Sequence, residues 1–153
     1  MGKRKRIRAL QVGTLAVVRR LWASPYTLVG LAIGLLGMVG GGRVRRVAGV
    51  WECHGPLVRR LLDRLPLRQV QAITLGHTVL GRDAEALEWS REHERVHVGQ
   101  FERWGPLMGP AYLGCSLMLW LRGRDWYREN PFEREAYASD ADRQDAWERR
   151  GSL

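Results

Sequence analysis

Acidic residues are missing from the first 50 positions of the chain, which hold ten lysines and arginines but no aspartate or glutamate. The formal net charge of the whole chain is +9, yet residues 51–153 carry 15 basic and 16 acidic side chains. A net positive charge is one signature of nucleic-acid binding, but residues 51–153 show no basic surface interleaved with aromatic residues. We therefore expect no nucleic-acid partner, because the excess charge belongs to the N-terminal region.

Cysteine is scarce as well. The chain has only Cys53 and Cys115, and neither belongs to a Cys-x-x-Cys pair. This excludes a thiolate zinc finger and a dithiol redox centre, so we interpret both as small buried hydrophobic residues. The 153 residues contain no internal repeat and suit one domain with a modest core.

Charged side chains are also absent from Leu21–Gly42, a run of 22 residues. About 20 mostly apolar residues can cross a bilayer, and flanking basic clusters attract lipid head groups. Because Pro25 and several glycines interrupt the run, a re-entrant or interfacial segment, a signal peptide and a buried core helix stay open beside a transmembrane helix. We expect membrane lipid as a partner, with a cytoplasmic N-terminus favoured by the heavier basic cluster there.

These patterns predict a division of the chain into two parts. Residues 1–46 form a basic N-terminal region with the apolar segment, and residues 47–153 form the domain. A second uncharged run, Leu107–Leu121, lies within the domain and is shorter. It is interpreted either as a helix buried under the domain or as an element that dips into the membrane.

The domain is predicted to be α+β. The segments RVAGVWECHG and AITLGHTVLG are typical of strands, and the segment between them, which starts at Pro56, is typical of a short helix. The longest periodic segment predicts a helix from Ala84 to about Trp104, with Asp83 as its N-cap and Gly105-Pro106 as its stop. Its inward face is predicted from residues spaced three or four apart: Ala86, Trp89, His93, Val96, Gln100 and Trp104.

This helix contains the segment REHERVHVGQF, in which His93 and His97 are four apart and Glu94 follows the first histidine. Residues four apart stack on one side of a helix, so both imidazoles can bind one zinc ion. Glu94 then lies beside the open position of the metal and can take a proton from bound water. The competing interpretation is two partly exposed histidines with no metal role.

A zinc site of this kind needs a third protein ligand. Asn130 as N-cap and Pro131 at the first helical position predict a later helix with Glu133 and Glu135 in its first turns, and Glu133 lies 36 residues after His97. These glutamates are about 200° apart around a helix, so only one of them can face the metal.

The chain resembles the gluzincin metallopeptidases, in which HExxH is completed by a glutamate from a later helix. It is most similar to small membrane-associated bacterial members, whose later helix reads Glu-x-x-Ala-Asp. The segment EREA, residues 133–136, matches this pattern, with Tyr137 in the place of the aspartate. The likeness covers mainly residues 84–140.

The resemblance implies a small zincin-like domain in which zinc is held by His93, His97 and Glu133, with Glu94 as general base. Glu135 stays the alternative third ligand. The resemblance also implies a bacterial inner-membrane location and an edge strand ahead of the motif helix that pairs with an extended peptide. The segment AITLGHTVL occupies that place in the chain.

Several other residues are open to two interpretations. His77, in a predicted strand, is either a polar group near the site or a histidine without a metal role. Glu92 and Arg95 stand at motif positions that are usually uncharged in active peptidases. Candidates for a hydroxyl that stabilises an oxyanion are Tyr112, Tyr127 and Tyr137.

Two function hypotheses follow. The first is a membrane-associated zinc metallohydrolase, specifically a peptidase that uses zinc-activated water with Glu94 as general base. The alternative is a non-catalytic membrane-associated module that keeps the same helices as a scaffold. Zinc content and the effect of changing Glu94 distinguish them.

Overall fold

The computed structural model describes residues 2–66 and 70–151, and side chains are described for residue 15, residues 17–66 and residues 70–141. The described part is α+β, as predicted. Its elements in chain order are α1 (Gly2–Val39), β1 (Arg43–Val47), β2 (Val50–His54), α2 (Pro56–Asp63), β3 (Ala72–Leu75), β4 (Thr78–Gly81), α3 (Ala84–Trp104), a 3-10 turn (Gly105–Leu107), α4 (Met108–Leu121) and α5 (Pro131–Gly151).

The four strands form one mixed sheet in the order β1-β2-β4-β3. β1 and β2 pair antiparallel, β2 and β4 pair parallel, and β3 and β4 pair antiparallel. Each of the two stretches predicted as a single strand is therefore a hairpin, and the prediction was wrong on this point. Two tight turns reverse the chain. Positive φ angles occur in the first turn at Ala48 (48°) and Gly49 (88°), and in the second turn at Gly76 (63°). The expected boundary between residues 46 and 47 falls inside β1.

The sheet lies between helices on both of its faces. Alternate residues of β2 point opposite ways: Glu52 accepts a hydrogen bond from Arg91 of α3, at 2.8 Å, while Cys53 packs against Gly34 of α1. α1 and α2 therefore cover one face, and α3 covers the other. The main core cluster lies between α1, α2 and the sheet, and its buried members are Cys53, Val58, Leu62, Val70 and Leu80.

α3 begins and ends where the sequence predicts. The side chain of Asp83 accepts a hydrogen bond from the amide of Ala86 at 2.8 Å, a cap worth about 1 kcal/mol, and Gly105 ends the helix with a φ of 54°. The predicted inward face was partly wrong, because Trp89 is 80% exposed. The residues that face inward are Ala86, Leu87, Ser90, Glu94, His97, Val98, Gln100 and Phe101. Several of these buried residues are polar, so the spacing of apolar residues alone did not predict the inward face of α3 correctly.

The buried side chain of Asn130 links α5 to α4. Asn130 caps α5, since its Oδ1 accepts from the amide of Phe132 at 3.0 Å, and its Nδ2 donates to Ser116 of α4 at 2.8 Å. This confirms the predicted N-cap and fixes where the first turn of α5 lies. α4 itself has one covered side and one uncovered side, and its exposed apolar residues are Leu113, Leu117, Met118, Trp120 and Leu121.

Candidate metal centre

Three predicted ligands converge between α3 and α5. His93 and His97 lie one turn apart on α3, and Glu133 lies in the first turn of α5. The Nε2 atom of His93 is 3.4 Å from Glu133 Oε2, and Nε2 of His97 is 3.5 Å from Glu133 Oε1. Ligands about 2.0–2.1 Å from a tetrahedral zinc lie roughly 3.3 Å apart, so these separations suit the ion. The three residues could therefore hold a metal.

One buried carboxylate oxygen, Oε2 of Glu133, indicates that the cluster can hold a cation. Glu133 is 3% exposed, and its Oε1 accepts a hydrogen bond from the hydroxyl of Tyr112 at 2.7 Å. Its Oε2 is buried and has no hydrogen-bond partner among the described residues. A buried carboxylate oxygen without a donor is costly, and a cation shared with the imidazoles would satisfy it. The donor set of two imidazoles and one carboxylate is one that catalytic zinc uses.

The ring orientation of His97 is fixed by Gln100. The amide nitrogen of Gln100 donates to the carbonyl of Phe132 at 2.9 Å and to Oε2 of Glu135 at 3.0 Å. The amide oxygen must then face Nδ1 of His97, 2.8 Å away, and Nδ1 must donate the proton. In the neutral ring this leaves a lone pair on Nε2, the atom that faces the cluster.

His93 is held in the same way by a carboxylate. Asp140 Oδ2 lies 3.0 Å from Nδ1 of His93, and the ring of Tyr137 packs against the imidazole with centroids 4.8 Å apart. Asp140 was missed from the sequence. It lies seven residues after Glu133, two helical turns on, and that spacing places both carboxylates on one face of α5. Tyr137 fills the turn between them.

Glu135 faces away from the cluster. Its carboxylate accepts from Gln100 and from Arg103, at 3.0 and 3.2 Å. The charged residues at unusual motif positions also point away, because Arg95 and Glu92 pair with each other at 2.8 Å on the exposed side of α3. Neither charge therefore enters the site.

The electrostatics of the cluster favour a shared positive charge. Burial disfavours the imidazolium of His97, but hydrogen bonding to Glu133, the charges of Glu94 and Glu133 and the hydrogen bond to Gln100 together outweigh it and raise the pKa of His97 to about 9. Burial likewise opposes ionisation of Glu133, but its contacts with His93 and His97 lower its pKa to about 2. The pKa of His93 is also raised, because its contacts with Glu133 and Asp140 outweigh burial. Without a metal, a proton supplies the positive charge that the carboxylate requires.

Glu94 lies beside the cluster on the sheet side of α3. Its side chain is buried, and Oε2 accepts a hydrogen bond from the hydroxyl of Thr74 in β3 at 2.7 Å. Burial raises the pKa of Glu94, although the nearby His97 and the hydrogen bond from Thr74 act in the opposite direction. A carboxylate in this state is a better proton acceptor than one in water.

A cavity of about 300 Å³ opens beside the three ligands. The side chains of Glu94, Tyr112 and Tyr127 line it together with the cluster, and most of its wall is apolar. Burial keeps the pKa of both tyrosines well above the usual range, so both hydroxyls stay protonated. β3 borders the cavity, and within the described strands it pairs only with β4 and lies at one edge of the sheet.

The remaining histidines and cysteines lie elsewhere. His77 is in the turn between β3 and β4 rather than in a strand, and its Nε2 lies 3.0 Å from Glu102. His54 ends β2. Both cysteines are free; Cys53 is buried, and burial raises the pKa of its thiol to about 11, while Cys115 is half-buried. None of these four residues belongs to the ligand cluster.

Comparisons of the chain with protein-family models, with curated proteins and with solved structures found no match. The function must therefore be inferred from the geometry of the cluster and from the chemistry of its residues.

Proposed function

We propose that the protein is a membrane-associated zinc metallohydrolase, a gluzincin-like peptidase of the bacterial inner membrane. His93, His97 and Glu133 hold the metal in this proposal, and Glu94 is the general base. The observation that carries it is the buried Oε2 of Glu133, which has no hydrogen-bond donor among the described residues and lies 3.4 Å from Nε2 of His93. A zincin-like fold is part of the same proposal.

The contacts around the ligands favour a metal-binding site over two histidines with no metal role. Both Nδ1 atoms have partners, Gln100 and Asp140, which leave both Nε2 atoms directed at Glu133. Such outer contacts commonly orient the ligands of a metal and adjust their basicity. Exposed histidines on a helix surface have no need for this arrangement.

Bound zinc would polarise a substrate carbonyl and lower the pKa of bound water to about 7. Glu94 would accept a proton from the attacking water on its carboxylate and would return it to the departing amine. The hydroxyl of Thr74 holds the carboxylate by one oxygen. The hydroxyl of Tyr127, at the cavity wall, is a neutral donor suited to the oxyanion.

A peptide is the substrate that the surroundings favour. The edge of β3 that pairs with none of the described strands offers backbone groups at the spacing of an extended chain, and pairing there would lay a peptide along the cavity. The wall of the cavity is largely apolar, which suits an apolar side chain next to the scissile bond. Membrane attachment is supported by α1, in which residues Val17–Val39 are long and apolar enough to cross a bilayer.

Metal analysis of the full chain, purified in detergent, tests the proposal. We expect one equivalent of zinc and cleavage of a mixed peptide library that stops with a chelator and returns with zinc. Zinc at one equivalent without cleavage of any peptide would leave the non-catalytic module as the better account. No zinc after growth with added metal would remove the metal site itself.

A further inference from the structure

α1 has two faces of different chemistry. Small residues form the inward face, where Ala23, Gly30, Gly34 and Gly37 are buried. A Cβ atom at Gly34 would lie 2.4 Å from the sulfur of Cys53, and one at Gly30 would lie 2.7 Å from Cβ of Thr78, so these glycines allow the close approach to the sheet. The outward face is exposed and apolar, and its members are Leu21, Pro25, Leu28, Val29, Ala32, Leu35, Leu36 and Val39.

The domain runs beside this helix rather than beyond its end. Arg20 approaches the turn at Gly49, Gly34 contacts β2, and Gly37 approaches Val58 of α2. The sheet and α2 thus accompany α1 along most of the segment that is long enough to span a bilayer. If α1 crossed the membrane, the sheet would cross with it.

Charges in the sheet oppose that arrangement. Glu52 is buried and pairs with both Arg45 and Arg91, each at 2.8 Å, on the face opposite α1. Immersing three charged groups at the depth of the hydrocarbon costs several kcal/mol even when they pair. α1 therefore suits the plane of the membrane, with its outward face toward lipid and the sheet toward water.

α4 adjoins α1, and its outer side is also exposed and apolar. Tyr26 of α1 packs against Gly109 and donates a hydrogen bond to the carbonyl of Pro106 at 3.3 Å. The outer side of α4 is uncharged and exposed, with Leu113, Leu117 and Leu121 at 67%, 56% and 70%. At about 21 Å, its 14 residues are too short to span the hydrocarbon.

We propose that the outward faces of α1 and α4 form one membrane-docking surface, which seats the protein in a single leaflet of an anionic bilayer. Charge complementarity selects this occupant, because exposed arginines border the surface: Arg19, Arg20 and Arg122. Anionic head groups would neutralise them while acyl chains cover the leucines.

The metal cavity opens at this surface. Tyr26 and Leu113 line the cavity, and Leu113 also belongs to the exposed side of α4. The substrate would then be a polypeptide segment that lies at the membrane surface and inserts an apolar side chain into the cavity. This part depends on the proposed function, whereas the docking surface does not.

Spin-label depth measurements on the full chain in phosphatidylglycerol-containing vesicles test the docking surface. Labels are placed by Leu21→Cys, Leu28→Cys, Leu35→Cys and Leu117→Cys, with Cys115→Ala as background and Trp89→Cys as the matched control on α3. We expect the first four labels at similar shallow depths, exposed to oxygen and shielded from a water-soluble nickel complex, and the control label in water. Similar far-ultraviolet circular dichroism of all variants checks that each one is folded.

Three results would overturn the proposal. A label at Leu28→Cys about 10 Å deeper than those at positions 21 and 35 would show a spanning helix. A label at Leu117→Cys as open to nickel as the control would place α4 in water. Shielding of that label from both oxygen and nickel would show a second protein copy on α4 instead of lipid. None of these results bears on zinc content or hydrolysis, so the two proposals fail separately.

Discussion

Asp140 and His93 are joined across the two ligand helices, with Oδ2 of the carboxylate 3.0 Å from Nδ1 of the ring. This contact directs the opposite ring nitrogen toward Glu133 and favours the tautomer that can bind a metal. We predict that Asp140→Ala lowers zinc affinity about 10–100-fold, the usual loss for such a partner. Asp140→Asn should lose less, because an amide oxygen still accepts from Nδ1. Competition with a chromophoric chelator measures both, with Glu92→Gln as an outward-facing control on α3.

The two glutamates of α5 should behave differently. Glu133→Gln removes the charged ligand and should abolish stoichiometric zinc, whereas Glu135→Gln changes only contacts with Gln100 and Arg103 and should retain it. Zinc content by elemental analysis compares the two. A protein that keeps zinc with Glu133→Gln but loses it with Glu135→Gln would reassign the third ligand.

Tyr112 should act on the metal through Glu133. Its hydroxyl donates to the ligand carboxylate at 2.7 Å, so Tyr112→Phe should weaken zinc binding by about tenfold or more. Tyr127→Phe is the matched control, since it also removes a tyrosine hydroxyl from a residue that lines the cavity. We expect it to leave zinc affinity unchanged and to lower kcat. Equal zinc affinities for the two variants would remove the role given to Tyr112.

The fall of stability with rising pH should disappear when zinc is added. The pKa of His97 is raised from 6.5 to about 9, so the stability from its protonated form is complete below pH 6.5 and is lost as the pH rises through 9. The pKa of Glu133 is lowered from 4.5 to about 2, so its contribution is present above pH 4.5 and is lost as the pH falls through 2. Metal-free protein therefore has both contributions between pH 4.5 and 6.5.

Zinc requires the unprotonated ring, so its stabilising effect should grow over the range from pH 6.5 to 9. Thermal unfolding in detergent, followed by the fluorescence of the seven tryptophans, measures this with chelator and with zinc. The midpoint should fall with pH in chelator and should not fall in zinc. Parallel curves would show that the metal and the proton do not compete for His97.

Local signals in the sequence predicted much of the site. Asp83 and Gly105 set the bounds of α3, and Asn130 set the start of α5, because caps act within a few residues of chain. Once α3 and α5 are predicted, packing of these two helices against each other is enough to bring His93 close to Glu133.

What the sequence could not predict depends on tertiary contacts. Trp89 was placed inward because it is apolar, but the inward positions of α3 hold polar groups that find partners across the core, such as Glu94 with Thr74. The contact of Asp140 with His93 links residues 47 apart in the chain, and no local rule specifies it. The hairpin turns were not predicted because their sequences, Ala48-Gly49 and Gly76-His77, differ from the Asn-Gly and Asp-Gly pairs that typically indicate such turns.

The most direct test of the account compares the wild-type chain with Glu94→Gln. Glu94 lines the cavity but is not one of the three ligands, so the amide should leave zinc at one equivalent. It cannot accept the proton of water, and kcat for peptide cleavage should fall by about 10²–10⁴-fold. Elemental analysis and peptide cleavage are measured on the same preparation. Unchanged cleavage by a zinc-loaded Glu94→Gln protein would contradict the account.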